Sequence, residues 1–190
     1  PAILDRAGEG LNWIIDPIDG TGNFAAGNPP FGIMVALADA GTTLAGWILD
    51  PLTGRLCYAL LGGGSHIDGQ AVRAKESGGD LPVAALAVYF MTAEERADIQ
   101  RRAEGAFAVV DIPRCAAEQY PRLVLGQNDV SVFARTLPWD HAAGTLFVNE
   151  AGGCCQRLDG TPYVIGDLRR GLLGASSPRL WDQAARQLFG

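Results

Sequence analysis

The chain has 190 residues, 48% of them hydrophobic and 19% charged, with a formal net charge of −6. That is the balance of a globular protein with enough apolar residues for a sizeable core. The densest basic stretches are the pairs Arg101-Arg102 and Arg169-Arg170, too little positive charge for a nucleic-acid groove. No apolar run approaches the ~18 residues of a membrane span, and no secretory leader is evident.

The first 75 residues read as an antiparallel meander. Residues 11–16 are a short apolar run, expected to be a strand stopped by a turn at Pro17. Gly20 to Gly27 has room for only a short helix. Runs at 31–40 and 43–50 predict a hairpin, and the Asp50-Pro51-Leu52-Thr53-Gly54 turn leads to a strand at 55–61. Gly62-Gly63-Gly64 breaks the chain, and Asp68-Gly69 marks another turn.

Residues 76–82 are a polar, glycine-bearing link, and the period changes after it. A strand is expected at 83–90, then a helix opened by the capping-box pattern Thr92-Ala93-Glu94-Glu95 and running to about Gly105. Strands at 107–112 and 130–134 flank a helix at 116–126. A helix from Trp139 ends at Gly152-Gly153, a short strand covers 172–175, and a last helix starts after Ser177-Pro178. Alternating strands and helices predict an α/β half at 79–190, joined to an antiparallel-sheet half at 1–78 in one compact unit.

Cys57, Cys115, Cys154 and Cys155 show no Cys-x-x-Cys spacing, so a zinc or redox site is not expected. They read as small reduced hydrophobes, which fits the cytoplasm. His66 and His141, and aromatics such as Trp47 and Trp181, read as structural.

Two acidic segments carry chemistry. In Trp13-Ile14-Ile15-Asp16-Pro17-Ile18-Asp19-Gly20-Thr21-Gly22-Asn23-Phe24, the turn can present Asp16, the Ile18 carbonyl and Asp19 to one point, an oxygen set suited to magnesium. Gly20 lets the backbone approach a ligand, and Thr21 can cap the segment that follows, whose amides suit a phosphate oxygen. The second segment is Pro138-Trp139-Asp140-His141-Ala142-Ala143-Gly144. Taken singly, Pro17-Ile18-Asp19-Gly20 is also an ordinary turn, and Asp140 also reads as a helix N-cap.

Together the two segments resemble the signatures of the inositol monophosphatase family of metal-dependent phosphatases. The resemblance runs along essentially the whole chain. It includes Gly62-Gly63-Gly64-Ser65, Asp68-Gly69, Glu150-Ala151-Gly152-Gly153 and Asp159-Gly160. It implies a layered αβαβα sandwich of the inositol monophosphatase/fructose-bisphosphatase type. It also implies magnesium, or manganese in its place. Asp16 would bridge two metal ions, the Ile18 carbonyl would complete part of the first shell, and Asp19 and Asp140 would bind the second ion. Gly20 and Thr21 would hold phosphate through backbone amides, with the Thr21 hydroxyl orienting the attacking water. A homodimer acting on a small phosphorylated metabolite is implied as well.

The family's Glu-Glu pair and N-terminal helix pair would lie before Pro1, so the native protein is expected to be longer. Asp5 and Glu9 are the only acids ahead of Asp16, and Glu9 reads as a loop residue. The family's inositol-contacting segment falls here on Arg114-Cys115-Ala116-Ala117, and its acidic position falls near Phe133, close to Arg135. An arginine there can meet a second phosphate or a carboxylate, or face solvent. That departure speaks against inositol monophosphate as the physiological substrate. The leading expectation is a magnesium-dependent phosphomonoesterase for a small polyol or sugar phosphate. The alternatives are a 3′-phosphoadenylate or other nucleotide phosphatase, for which the sequence shows no evident base-stacking surface, and a noncatalytic metal-binding member.

Overall fold

The computed structural model describes residues 8–190; Asp5 lies outside them. The meander forms as expected. Strands β1 (Leu11–Asp19), β2 (Gly32–Asp39), β3 (Thr42–Leu49), β4 (Leu56–Leu60), β5 (Gly64–Ile67) and β6 (Gln70–Val72) make a six-stranded antiparallel sheet in sequence order. The Asp50 turn is tied by Asp50 Oδ1, which accepts from Leu52 N–H at 2.9 Å. Glu150 clamps the glycine-rich β4–β5 turn, its carboxylate accepting from Gly62 and Gly64 N–H at 2.8 and 2.9 Å.

The second sheet has the order β10-β11-β9-β7-β8. It comprises β7 (Val83–Ala87), β8 (Ala108–Val110), β9 (Val130–Phe133), β10 (Cys154–Gln156) and β11 (Leu172–Ala175). β8, β7 and β9 run parallel, while β11 and β10 are antiparallel additions. The adjacent cysteines of β10 are a strand that sequence patterning did not show, because three residues are too few for a period. Cys155 is buried and Cys154 half-buried.

Five helices complete the described residues: α1 (Thr21–Ala25), α2 (Ala93–Ala103), α3 (Ala116–Val124), α4 (Pro138–Glu150) and α5 (Pro178–Phe189). The capping box of α2 is present in full. α4 ends at the Ala151 cap, followed by Gly152 at φ 88°. α3 and α4 lie between the two sheets, while α2 and α5 cover the far face of the second. Two cores result. One, between the sheets, includes Met34, Ile48, Tyr120, Leu123 and Phe147. The other, under α2 and α5, includes Ile99, Phe107, Val132, Leu180 and Trp181. On the first sheet's outer face, Leu11, Trp13 and Ile15 are more than half exposed.

Arg157 is the largest fully buried side chain, 2% exposed. It gathers the 157–171 loop: Nη1 donates to Thr136 Oγ1 at 2.9 Å and to the Arg169 carbonyl at 2.7 Å. Nη2 donates to the Asp167 carbonyl at 2.6 Å, and the guanidinium lies 4.9 Å from the Tyr163 ring centre. Truncation removes the donor from the buried Thr136 hydroxyl and from the half-buried Asp167 carbonyl, while the Arg169 carbonyl keeps Thr136 Oγ1 at 2.7 Å. Arg157→Ala is expected to cost about 2–3 kcal/mol in thermal unfolding; a melting temperature within 1 °C or so of the parent's contradicts this account.

No helix among the described residues is long and apolar enough to cross a membrane.

Candidate functional site

β1 was expected to stop at Asp16, but it continues to Asp19 through an irregularity. Asp16 pairs with Met34 and Asp19 with Gly32, so the register shifts between them. Residues three apart on a regular strand point to opposite faces. One extra residue restores them to the same side. Pro17, which has no N–H for the ladder, sits in that irregularity. Inside it, Asp16 Oδ1 accepts from Ile18 N–H at 2.9 Å, and the Ile18 carbonyl accepts from Thr21 Oγ1 at 2.9 Å. The carbonyl keeps a second lone pair.

The partner positions are small for a reason. A Cβ on Gly32 would lie 2.5 Å from Ala117 Cβ, so glycine lets the start of α3 come down on the strand. Ala117 N–H then reaches Asp19 Oδ2 at 2.6 Å, and Cys115 Sγ lies 3.0 Å from the same oxygen. Asp19 is buried, with a carboxylate stabilised at a helix start. Gly20 caps α1 at φ 80°, ψ 33°. A Cβ there would meet the Pro30 carbonyl at 3.0 Å and Cys115 Cβ at 3.2 Å. Thr21 is thus the first helical residue rather than the cap. Asn23, unassigned from sequence, pins α1 by donating to the Pro30 and Pro113 carbonyls at 2.7 and 2.9 Å.

Asp140 stands in the first turn of α4. The cap is Leu137, which makes no side-chain hydrogen bond, so the simple N-cap reading of Asp140 does not hold. The carboxylate points instead at the other two. Asp16, Asp19 and Asp140 each offer an oxygen within 4.8 Å of the others. Burial, reinforced by the charge of Asp19, pushes the Asp140 carboxyl up from 3.8 to about 7, with Arg135 opposing. Burial also raises Asp19, partly offset by the Ala117 amide and the Cys115 thiol. Among the described residues, the cation beside Asp140 is Arg135, with Nη2 at 3.6 Å from Oδ2. His141 turns away: burial lowers it to about 3, so it is neutral. It is held between Tyr120 Oη at 2.6 Å and the Arg135 carbonyl at 2.8 Å. His66 stacks on Tyr58 at 5.0 Å, remote from the acids in the fold.

The three aspartates floor a cleft of ≈ 480 Å³. Gly20, Thr21, Arg114, Cys115, Ala116 and Arg135 line it as well, whereas Ile18 and Ala117, also selected from sequence, are not among the lining residues. The cleft lies beyond the carboxyl ends of β7, β8 and β9, where open α/β sheets present ligands. Tyr89, Phe90 and Trp139 also line it. Tyr89 and Phe90 were assigned to a strand that ends instead at Ala87. Their exposure, 43% and 52%, is the aromatic surface that sequence did not reveal. A clustered acid floor with hard oxygen donors and little cationic compensation fits a divalent cation such as magnesium.

Comparison with known proteins agrees with this geometry. The model of the inositol monophosphatase family matches residues 4–188. An inositol-1-monophosphatase of Bacillus subtilis is 29% identical over 164 residues, covering 83% of this chain and 60% of that protein. A histidinol-phosphatase of Chlorobaculum parvum is 32% identical over 174 residues, covering 90% and 66%. An IMPase structure from Thermotoga maritima superposes with a TM-score of 0.80 at 27% identity, covering 94% of this chain and 68% of that one. The chain thus spans less than two thirds of the length of the first two relatives. With the motifs, the layered fold and the acid cluster in agreement, the chain belongs to the inositol monophosphatase family.

Proposed function

We propose that this chain carries the metal- and phosphate-holding centre of a magnesium-dependent phosphomonoesterase acting on a small phosphorylated polyol or sugar. The observation that carries the reading is the convergence of Asp16, Asp19 and Asp140 beside the Gly20-Thr21 turn. Asp16, the Ile18 carbonyl, Asp19 and Asp140 would hold divalent cations, magnesium first and manganese in its place. Such cations supply charge neutralisation at the phosphoryl group and a more acidic bound water. Residues 1–78 and 79–190 act as one unit, because Asp16 and Asp19 come from the first half and Asp140 from the second.

The chain's own groups do the rest. The first amides of α1 have no helical acceptor and face the cleft with Gly20. The Thr21 hydroxyl, held on the Ile18 carbonyl, is placed to orient a water. The Cys115 thiol and Ala117 amide keep Asp19 aimed at its neighbours.

Phosphate release from a panel of sugar, polyol and nucleotide monophosphates, with and without magnesium, tests the reading. Magnesium-dependent release from at least one polyol or sugar ester is expected. Release confined to a nucleotide such as 3′-phosphoadenylate moves the assignment to a nucleotide phosphatase. No release beside tight magnesium binding moves it to a noncatalytic member.

A further inference from the structure

The cleft has an acidic floor and a basic wall. The chain leaves β7 at Ala87, and Tyr89 and Phe90 follow, with rings edge to face, 6.1 Å between centres at 87°. Each carries a guanidinium. Arg114 lies 5.1 Å from the Tyr89 ring centre and Arg135 4.2 Å from that of Phe90. Arg170 braces the same segment from behind, its Nη2 donating to the Phe90 carbonyl. A guanidinium resting on an aromatic ring keeps its N–H groups available at its edges, pre-ordered for a planar or tetrahedral anion.

Little on the protein side answers these charges. Arg114 has no carboxylate partner among the described residues, and Arg135 has only Asp140, at 3.6 Å, beyond hydrogen-bond contact. Arg114 also takes a left-handed backbone at φ 56°. That backbone is unfavourable for a residue with a side chain, and it places the guanidinium at the cleft immediately before the Cys115 cap of α3. The ring faces turned to the arginines are occupied, which disfavours a stacked base there.

We propose that Arg114 and Arg135, braced on Tyr89 and Phe90, form a second anion subsite. The preferred substrate is then a small phosphomonoester bearing another anionic group, either a carboxylate or a second phosphate. This rests on the phosphatase reading of the acid cluster for its first phosphate. A cleft of ≈ 480 Å³ takes a molecule of that size.

Two matched pairs test it, with magnesium present: glycerol 3-phosphate against 3-phosphoglycerate, and fructose 6-phosphate against fructose 1,6-bisphosphate. The expected result is at least about a tenfold preference in kcat/KM for the doubly anionic member of one pair. That pair identifies the second group as carboxylate or phosphate. Arg114→Ala removes the preference through KM, losing about tenfold more on the doubly anionic member than on its singly phosphorylated partner; Arg114→Lys retains part of it. Arg135→Ala lowers the same ratio, and its absolute rates shift on both members because its guanidinium also lies 3.6 Å from Asp140. Equal turnover within both pairs, or equal losses on both members, overturns the proposal. If no ester is hydrolysed, calorimetric binding of the same four compounds decides. Tighter binding of a doubly anionic member, lost in Arg114→Ala, sustains the subsite while the phosphatase reading falls. No difference in binding overturns the subsite as well.

Discussion

Asp140→Asn is expected to abolish magnesium-dependent phosphate release, by about a thousandfold or more, and at the same time to raise the melting temperature of the metal-free protein. The two effects have one cause. Three carboxylate oxygens within 4.8 Å repel one another when no cation stands between them. Burial, reinforced by that repulsion, holds the Asp140 carboxyl at about 7, against an ordinary 3.8. A folded-state value above the unfolded one means that the folded form prefers the proton. The associated stability is fully present below pH 3.8 and is lost progressively as pH rises towards 7. Above pH 7 the metal-free protein bears the whole repulsion. The amide removes it at nearly constant shape, so the variant gains on the order of 2 kcal/mol at pH 8 and close to nothing at pH 4.

Magnesium reverses the order. With the proposed metal site, the parent is expected to gain melting temperature on addition of the ion, because anything that binds only the folded form stabilises it. The variant gains little. Ion affinity of the parent also weakens as pH falls below about 7, where protons compete for Asp140. The catalytic loss corresponds to ~4 kcal/mol of transition-state stabilisation. A metal-free variant less stable than the parent at pH 8, or one with unchanged kinetics, breaks the assignment of Asp140.

Gly144→Ala should have the largest effect on folding, about 3 kcal/mol or more, up to outright failure to fold. Gly144 lies one turn beyond Asp140 on the same face of α4, where α3 crosses it. A Cβ there would overlap the Tyr120 ring, striking Cδ2, Cε2 and Cγ. That ring is fully buried, stacked 4.9 Å from Phe133, and its hydroxyl holds His141. It has no room to retreat, so helix or ring must move, and overpacking of this kind is destabilising. The displacement also passes to the site through His141 and the Arg135 carbonyl. A double-mutant cycle isolates the cause. Tyr120→Ala alone leaves a cavity and costs roughly 3–5 kcal/mol; on that background, Gly144→Ala should cost less than about 1 kcal/mol. Equal cost on both backgrounds means that the ring is not the obstacle.

The reading of the chain and its geometry part company at identifiable places. Strand and helix existence followed from apolar period and from Gly, Pro and cap signals, because these act over a few neighbouring residues. The capping box at Thr92, the stop at Gly152 and the meander of the first sheet are of this kind. Ends were less legible. β1 was expected to stop at Pro17, yet runs on to Asp19, because pairing with β2 outlasts the irregularity. β7 stops at Ala87 and releases Tyr89 and Phe90 to the cleft.

The chemistry of the centre was written in residue types: carboxylates flanking a carbonyl, a glycine able to turn left-handed, and a distant Trp-Asp pair. Such donors suit a hard cation wherever they meet, so their identity was readable in one dimension. Their meeting was decided only by tertiary packing. A one-residue shift turned Asp19 to the side of Asp16, Gly32 admitted α3 to hold it, and Gly144 let α4 sit low enough to bring Asp140 alongside. The arginine–aromatic wall belongs to the same class, since Arg114, Arg135 and the Tyr89-Phe90 pair lie on three separate stretches of chain. Local rules cannot carry that information, because close approach between distant segments depends on the volumes that both present.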